Sequence, residues 1–285
     1  MKPVHSLFII VILLTACSQN SGDQESDNKQ QVSSGWHVDF FDDFDTFDRD
    51  NWQDQILWVN NEDQCYVRDN LFNTREVSDG TLKLRVIDIG EKHPCDNLDK
   101  TGKKHPDTQY VAGRIASKNR KEFIKGKWTA RLKVENSGQP GMFPAWWLLG
   151  AQNNEPPVQE PDETICWPMT GSGEIDIFEH HSDGGPNHYA ARTIESLGYC
   201  GGGDWQSQML VQETTLDEYH EYSVEWSGYD LIFRLDGIEV YRITNKDDQF
   251  PEPMFAILNI AQIYDSAMSS DWVMEVDWVK HEYWH

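Results

Sequence analysis

"GSGEIDIFEHHS", residues 171–182, carries three carboxylates, Glu174, Asp176 and Glu179, within six residues, with Ile175, Ile177 and Phe178 between them. In a regular strand residues two apart share a face. Glu174 and Asp176 therefore point together, and Glu179 points away. A solvated acidic strand face would account for alternating acids but not for apolar residues on both faces. A Ca²⁺ site would draw oxygen ligands from a Gly-rich loop rather than a strand. The third reading is a catalytic pair, and it needs one extra residue. A β-bulge between Asp176 and Glu179 flips the alternation, absorbs Phe178, and turns all three acids toward one cleft.

Outward from this stretch, the segments that read clearly are strands. "GKWTARLKVE" alternates Trp128, Ala130, Leu132 and Val134 against polar neighbours, "TLKLRV" places Leu82, Leu84 and Val86 on one face, and "EYSVEW" does so with Tyr222, Val224 and Trp226. "DLIFRLDGIEVYRI" is a hairpin around Asp236-Gly237. The closing "WVMEVDWVKHEYW" puts Met274, Val276 and Trp278 on one face. Short alternating strands with turn signals and no long amphipathic helix predict an all-β fold, an antiparallel sandwich or barrel.

The chain of 285 residues has 12 Trp, several beside one another or next to Gly and Pro: Trp146-Trp147, Trp167 and Trp205. Flat aromatic faces stack on the C–H faces of sugar rings, and Trp offers the largest. Each Trp could also be a core residue, but their clustering around the acids favours a sugar groove. The net charge of −24 disfavours nucleic acid and anionic membrane surfaces as partners. It argues less strongly against sulfated polysaccharides.

The N-terminus reads as an export signal, residues 1–16, with Lys2, a short apolar run and a lipobox-like Leu14-Thr15-Ala16-Cys17. This arrangement predicts lipidation of Cys17, a polar tether to residue 35, and one folded domain over 36–285. An ordinary secretory signal is the other reading. The expected location is the cell envelope, lipid-anchored, or outside the cell, with membrane contact only through the anchor. Export permits disulfides. Of the three pairings open to the remaining cysteines, Cys65–Cys95 and Cys166–Cys200 are favoured, because each staples one loop-rich segment.

Chemistry assigns roles to the acids. A retaining glycoside hydrolase needs two carboxyls about 5–5.5 Å apart, one a nucleophile and one an acid/base. Crowded acids in a low-dielectric cleft cannot all ionise, so at least one holds a proton at neutral pH, as a general acid must. At this point the sequence resembles glycoside hydrolase family 16: "GEIDIFEH" is similar to its bulged Glu-x-Asp-x-x-Glu signature in laminarinase-like members. "FFDDF", "NNEDQCYV", "AGRIASK", "GMFPAWWLLG", Trp167-Pro168, "EYHEYSVEW", "ILNIAQ" and "MEVDWVKHEY" resemble further family segments in order.

The resemblance implies a β-jelly-roll, with Glu174 as nucleophile, Glu179 as acid/base and Asp176 as their helper. It implies that Asn61, Arg114 and Trp147 line subsites on the non-reducing side, with Trp167 as a stacking platform and His220 and Asn259 as further candidates. No cofactor is implied for catalysis. Asp43, Gly80 and Asp277 match a structural Ca²⁺ site that some members carry. The departures are Glu195 at the place of a usual His, Phe143 for a Trp, Ile263-Tyr264 for a glycine pair, and two extra residues before Gly173. The expected activity is endo-hydrolysis of β-1,3 or mixed β-1,3/1,4 glucan by a monomer. The alternatives are a galactan hydrolase of the agarase, porphyranase or carrageenase type, or a glucan-binding protein without catalysis.

Overall fold

Alternation in the sequence becomes burial of every second side chain. Trp128, Ala130, Leu132 and Val134 lie in the core, as do Leu82, Leu84, Val86, Tyr222, Val224 and Trp226. Burying each large side chain is worth about 1.5–3 kcal/mol, so the polar partners in each strand are left to face out. The computed structural model describes residues 34–99, 101–153, 172–181, 184–199, 202–244, 250–263 and 268–285. Cys17, Cys166, Trp167 and Cys200 fall outside these residues, and with them the expected Cys166–Cys200 bond and the lipidation site.

The strands are, in chain order, β1 (Trp36–Asp42), β2 (Gln53–Asp54), β3 (Cys65–Tyr66), β4 (Arg75–Ser78), β5 (Thr81–His93), β6 (Thr108–Ala112), β7 (Arg114–Ala116), β8 (Glu122–Phe123) and β9 (Gly126–Glu135). They continue with β10 (Met142–Gly150), β11 (Gly173–Glu179), β12 (His188–Ser196), β13 (Gly203–Val211), β14 (His220–Ser227), β15 (Asp230–Leu235), β16 (Ile238–Thr244), β17 (Met254–Gln262) and β18 (Trp272–Trp284). One sheet runs β16-β15-β14-β9-β18-β5-β6-β3, with β1 on β18 and β4 on β5; the other runs β13-β12-β11-β10-β17-β7-β2, with β8 on β17. All described pairings are antiparallel except β3 with β6. The all-β expectation and the jelly-roll layering of two sheets hold.

The main core lies between the sheets. Trp128 of β9 meets Trp146 of β10 edge-on with ring centroids 6.0 Å apart, and Phe178 of β11 lies 4.6 Å from Tyr222 of β14. The acid-bearing strand is thus anchored to the opposite sheet through Phe178. Asp236 and Gly237 both take positive φ (50° and 78°), as a tight two-residue hairpin turn between β15 and β16 requires. Five of the tryptophans, Trp52, Trp128, Trp146, Trp226 and Trp272, are core residues, whereas Trp147 and Trp205 stand on the outer face of the eight-stranded sheet.

One expected face is corrected. Register shifts between Val276 and Trp278 against β9, which inserts Asp277 as an extra residue. Val279, not Trp278, continues the core row after Met274 and Val276. Trp278 instead turns toward Phe41 (centroids 6.1 Å apart) and Lys280 Nζ (5.3 Å).

The Cys65–Cys95 bond is present and closes a separation of 30 residues beside Val67 and Val111. A loop of that length is worth about 3.5 kcal/mol in chain entropy. Cys95→Ala should therefore lower Tm by about 10 °C in calorimetry. Under reductant the wild type should drop by at least as much, and C95A should drop by less than the wild type.

Candidate active site

β11 sits between β10 and β12, and its register shifts on both sides. On β12, Asp176 faces Arg192 and Glu179 faces Ala190, so three steps on one strand match two on the other. On β10, Trp147 faces Asp176, Trp146 faces Phe178 and Ala145 faces Glu179. The expected bulge is therefore present, but the extra residue opposite β10 is Ile177, while Phe178 keeps a partner. Ile175, Ile177 and Phe178 all enter the core between the sheets. Glu174, Asp176 and Glu179 emerge together on the outer face of the eight-stranded sheet.

Cross-strand partners share a face, and they form three rows across this surface. The first is Arg114, Asn259, Ala145, Glu179, Ala190 and Met209; the second is Ala116, Ile257, Trp147, Asp176, Arg192 and Ser207. The third is Phe255, Leu149, Glu174, Ile194 and Trp205. A small apolar cluster of Ala116, Ala145, Trp147, Leu149, Phe255 and Ile257 underlies the acids on one side.

All three acids are buried. Burial pushes the Asp176 carboxyl well up and the Glu174 charge adds to this; Arg192 partly offsets the rise. Glu179 is likewise pushed up by burial and then by Asp176, with Arg192 again opposing. Arg192 Nε stands 2.7 Å from Glu179 Oε2 and 3.7 Å from Asp176 Oδ2.

On the β7 side the residues expected from the sequence come together. Arg114 Nε donates to Gln55 Oε1 (2.9 Å), and its guanidinium lies 5.0 Å from the Trp147 ring and 5.8 Å from Tyr66. Trp147 Nε1 donates to Asn259 Oδ1 (2.8 Å), and Asn259 Nδ2 donates to the Tyr66 hydroxyl (3.3 Å). Asn61 occupies an exposed left-handed turn (φ 54°) that leads into buried Glu62. The segment is docked on β17 by Gln262 N donating to Gln64 Oε1 (2.7 Å), and Gln64 Nε2 donates to Glu62 Oε2 (2.8 Å).

His220 is not brought to this face. Its strand belongs to the other sheet, and its ring is held between Asp236 Oδ2 (2.6 Å) and Thr214 Oγ1 (2.9 Å). Glu195 pairs with Gly173, and Ile194 is the residue opposite Glu174. Burial, then Asp204, pushes the Glu195 carboxyl up to about 7, away from the acid row. The reading missed Arg192, Gln55, Tyr66 and Glu62. Tyr66 and Glu62 lie inside the quoted "NNEDQCYV", whereas Arg192 is visible only once the β11–β12 register is known.

Buried, closely spaced carboxyls on an open sheet face, beside a wall of aromatic, amide and guanidinium groups, define a glycoside hydrolase of the two-carboxylate type. The chain belongs to glycosyl hydrolases family 16, whose profile matches residues 92–283. It is 26% identical over 220 residues to glucan endo-1,3-beta-glucosidase A1 of Niallia circulans, covering 72% of this chain and 28% of that protein. It is 24% identical over 276 residues to the beta-glucanase of Rhodothermus marinus, covering 91% of this chain and 85% of that one. The catalytic domain LamAcat of Zobellia galactanivorans superposes with a TM-score of 0.71 at 26% identity, covering 86% of this chain and 96% of that domain.

Asp176 and Glu179 hold protons more tightly folded than unfolded. The folded state thus keeps protons that the unfolded chain has released, and stability falls as pH climbs above the ordinary carboxyl range. Asp176→Asn should melt with the wild type near about pH 4 and at higher temperature than the wild type at neutral pH. Thermal melts across that range check it.

Proposed function

We propose that this protein is an endo-acting, retaining β-1,3-glucanase that also accepts mixed β-1,3/1,4 glucan. The observation that carries the catalytic part is the β11 bulge, which places Glu179 on the face of Glu174. The named activities of the Niallia and Rhodothermus relatives, and the laminaritriose and laminaritetraose bound to a LamA variant of Zobellia galactanivorans, support the glucan. Since the chain spans 28% of the Niallia enzyme's length, the likeness concerns a catalytic domain.

A glucan lies across the strands, along the three rows. A Glu174 oxygen attacks the anomeric carbon, the bond to the leaving oxygen breaks, and Glu179 gives that oxygen its proton. Glu179, now a carboxylate, takes a proton from water; the water oxygen attacks the same carbon and frees Glu174. Two inversions retain the β configuration. Asp176, on the same face two residues from Glu174, is the nucleophile's helper, and the Glu174 charge favours a proton on it. Desolvation pushes the Glu179 carboxyl up, the direction a general acid needs. Arg114, Trp147 and Asn259 present a prearranged wall to the sugars on the non-reducing side.

We further propose that Cys17 is lipidated and that the polar segment after it tethers the domain at the cell envelope, where a soluble polysaccharide can reach it. Asp43, the Gly80 carbonyl and Asp277, matched to a family calcium site by sequence, supply oxygen donors of the kind calcium takes. The Asp277 carboxylate is ion-paired with Arg131, so calcium would have to displace a guanidinium. If calcium binds, a chelator lowers Tm and added calcium restores it; an unchanged Tm removes the ion.

Glu174→Gln should lose about 10³-fold or more in kcat, and Glu179→Gln about 10²–10⁴-fold on polymer, both melting like the wild type. Reducing-sugar release should appear with laminarin and lichenan. Release from agarose, porphyran or carrageenan without laminarin cleavage would replace the glucan by a galactan, and a near-wild-type Glu174→Gln would remove the nucleophile assignment.

A further inference from the structure

The wall on the β7 side accounts for one half of the open face. The other half, β12 and β13, carries different chemistry: Arg192 in the Asp176 row, then Trp205, Ser207 and Met209 on the edge strand. Trp205 is 53% exposed. The Arg192 guanidinium lies 6.0 Å from its ring, and on its other side the Nε contacts Glu179 Oε2 at 2.7 Å. That contact is ionic rather than a well-aligned hydrogen bond, since neither the Nε nor Oε2 finds hydrogen-bond geometry there. The arginine side chain is 20% exposed, against 10% for Glu179. One cation therefore bridges the acid/base and an exposed aromatic on the leaving-group side.

The groups around Glu179 are few. Its own strand contributes Asp176 and Glu174, with His180 next in sequence. β12 contributes Arg192, and β10 offers only Ala145 and Trp147 in the facing rows. β14 packs Tyr222 against Phe178 beneath, with Tyr189 of β12 beside it. His180 is turned into the protein, between the His188 and Ser137 carbonyls. Among the described residues in these facing positions, Arg192 is the sole cation.

We propose that Arg192 is a positioning residue for the leaving-group half of the site: it fixes the Glu179 carboxylate by one edge and couples it to a Trp205 platform that takes the first sugar beyond the scissile bond. This rests on the acid/base role of Glu179 given above. A neutral acid must deliver its proton along one direction, and a carboxyl held by one oxygen presents the other to the leaving atom. A cation within about 4–6 Å also favours the carboxylate, which suits the second step, where Glu179 must draw a proton from water. Arg192 thereby restrains the rise that burial and Asp176 impose.

The test uses the full chain with Arg192→Met, Arg192→Gln and Arg192→Lys, read as pH profiles of kcat/KM on laminarin. In the two neutral variants the alkaline limb should move up by about one pH or more. R192K should return it toward the wild type, and kcat at the optimum should fall about tenfold to a hundredfold for lost orientation. Two neutral side chains are used so that a folding failure of one leaves the other to decide. Trp205→Ala should raise KM for laminarin about tenfold and leave the limb in place. An unmoved limb in a folded neutral variant overturns the coupling to Glu179, and an unchanged KM in W205A overturns the platform. A nitrophenyl laminaribioside, whose leaving group departs without a proton, separates this from the parent assignment. If Glu179→Gln were impaired equally on polymer and on the nitrophenyl substrate, the acid/base role itself would fail.

Discussion

A strand repeats every two residues, and that period is the constraint on which the site depends. Glu174 and Asp176 reach the open face by obeying it, and Glu179 reaches it because Ile177 breaks it. The break costs β11 a ladder position, and it is tolerated because Ile175, Ile177 and Phe178 are all buried between the sheets. Phe178, packed on Tyr189 and Tyr222, turns the bulge into a fixed geometry. A polar residue at 177 or 178 would have to be buried unpaired or pull the strand out of register. Core packing and catalytic geometry are therefore one feature seen from two faces.

The second constraint is electrostatic. Three carboxyls held out of water cannot all be charged, and among the described residues in the facing positions one guanidinium, that of Arg192, opposes the rise in proton affinity. The result is that burial and the neighbouring acids push both Asp176 and Glu179 up, while Arg192 opposes the rise. The net charge of −24 does not set this balance, because the buried row responds to groups within a few ångströms while the exposed charges are screened.

Much of this was legible in the sequence, and the misses have a common cause. The strands, the acid row and the bulge follow from period and residue type. Arg114, Trp147 and Asn259 were identified by resemblance, and the structure joins them through hydrogen bonds and ring contacts. Arg192 was missed and Trp278 was assigned to the wrong face, both for want of register. A one-residue slip exchanges the two faces of a strand, and nothing local in "AARTIES" or "MEVDWV" fixes where the partner strand begins. His220 fails differently: its spacing resembles the family, but its strand lies in the other sheet, where Asp236 and Thr214 already satisfy both ring nitrogens.

The two halves of the open face differ in rigidity, and the difference has a direction. On the β7 side Trp147, Asn259, Tyr66, Arg114 and Gln55 are buried and tied to one another, so little conformational freedom is lost when sugars bind there. On the β13 side the edge strand exposes Trp205, Met209 and Val211, side chains with fewer fixed partners. A retaining enzyme holds the non-reducing part covalently between its two steps and must release the other part before water can attack. A rigid wall where the glycosyl enzyme stays, and a looser aromatic edge where the first product leaves, match that order. The guanidinium of Arg192 lies on the boundary between them.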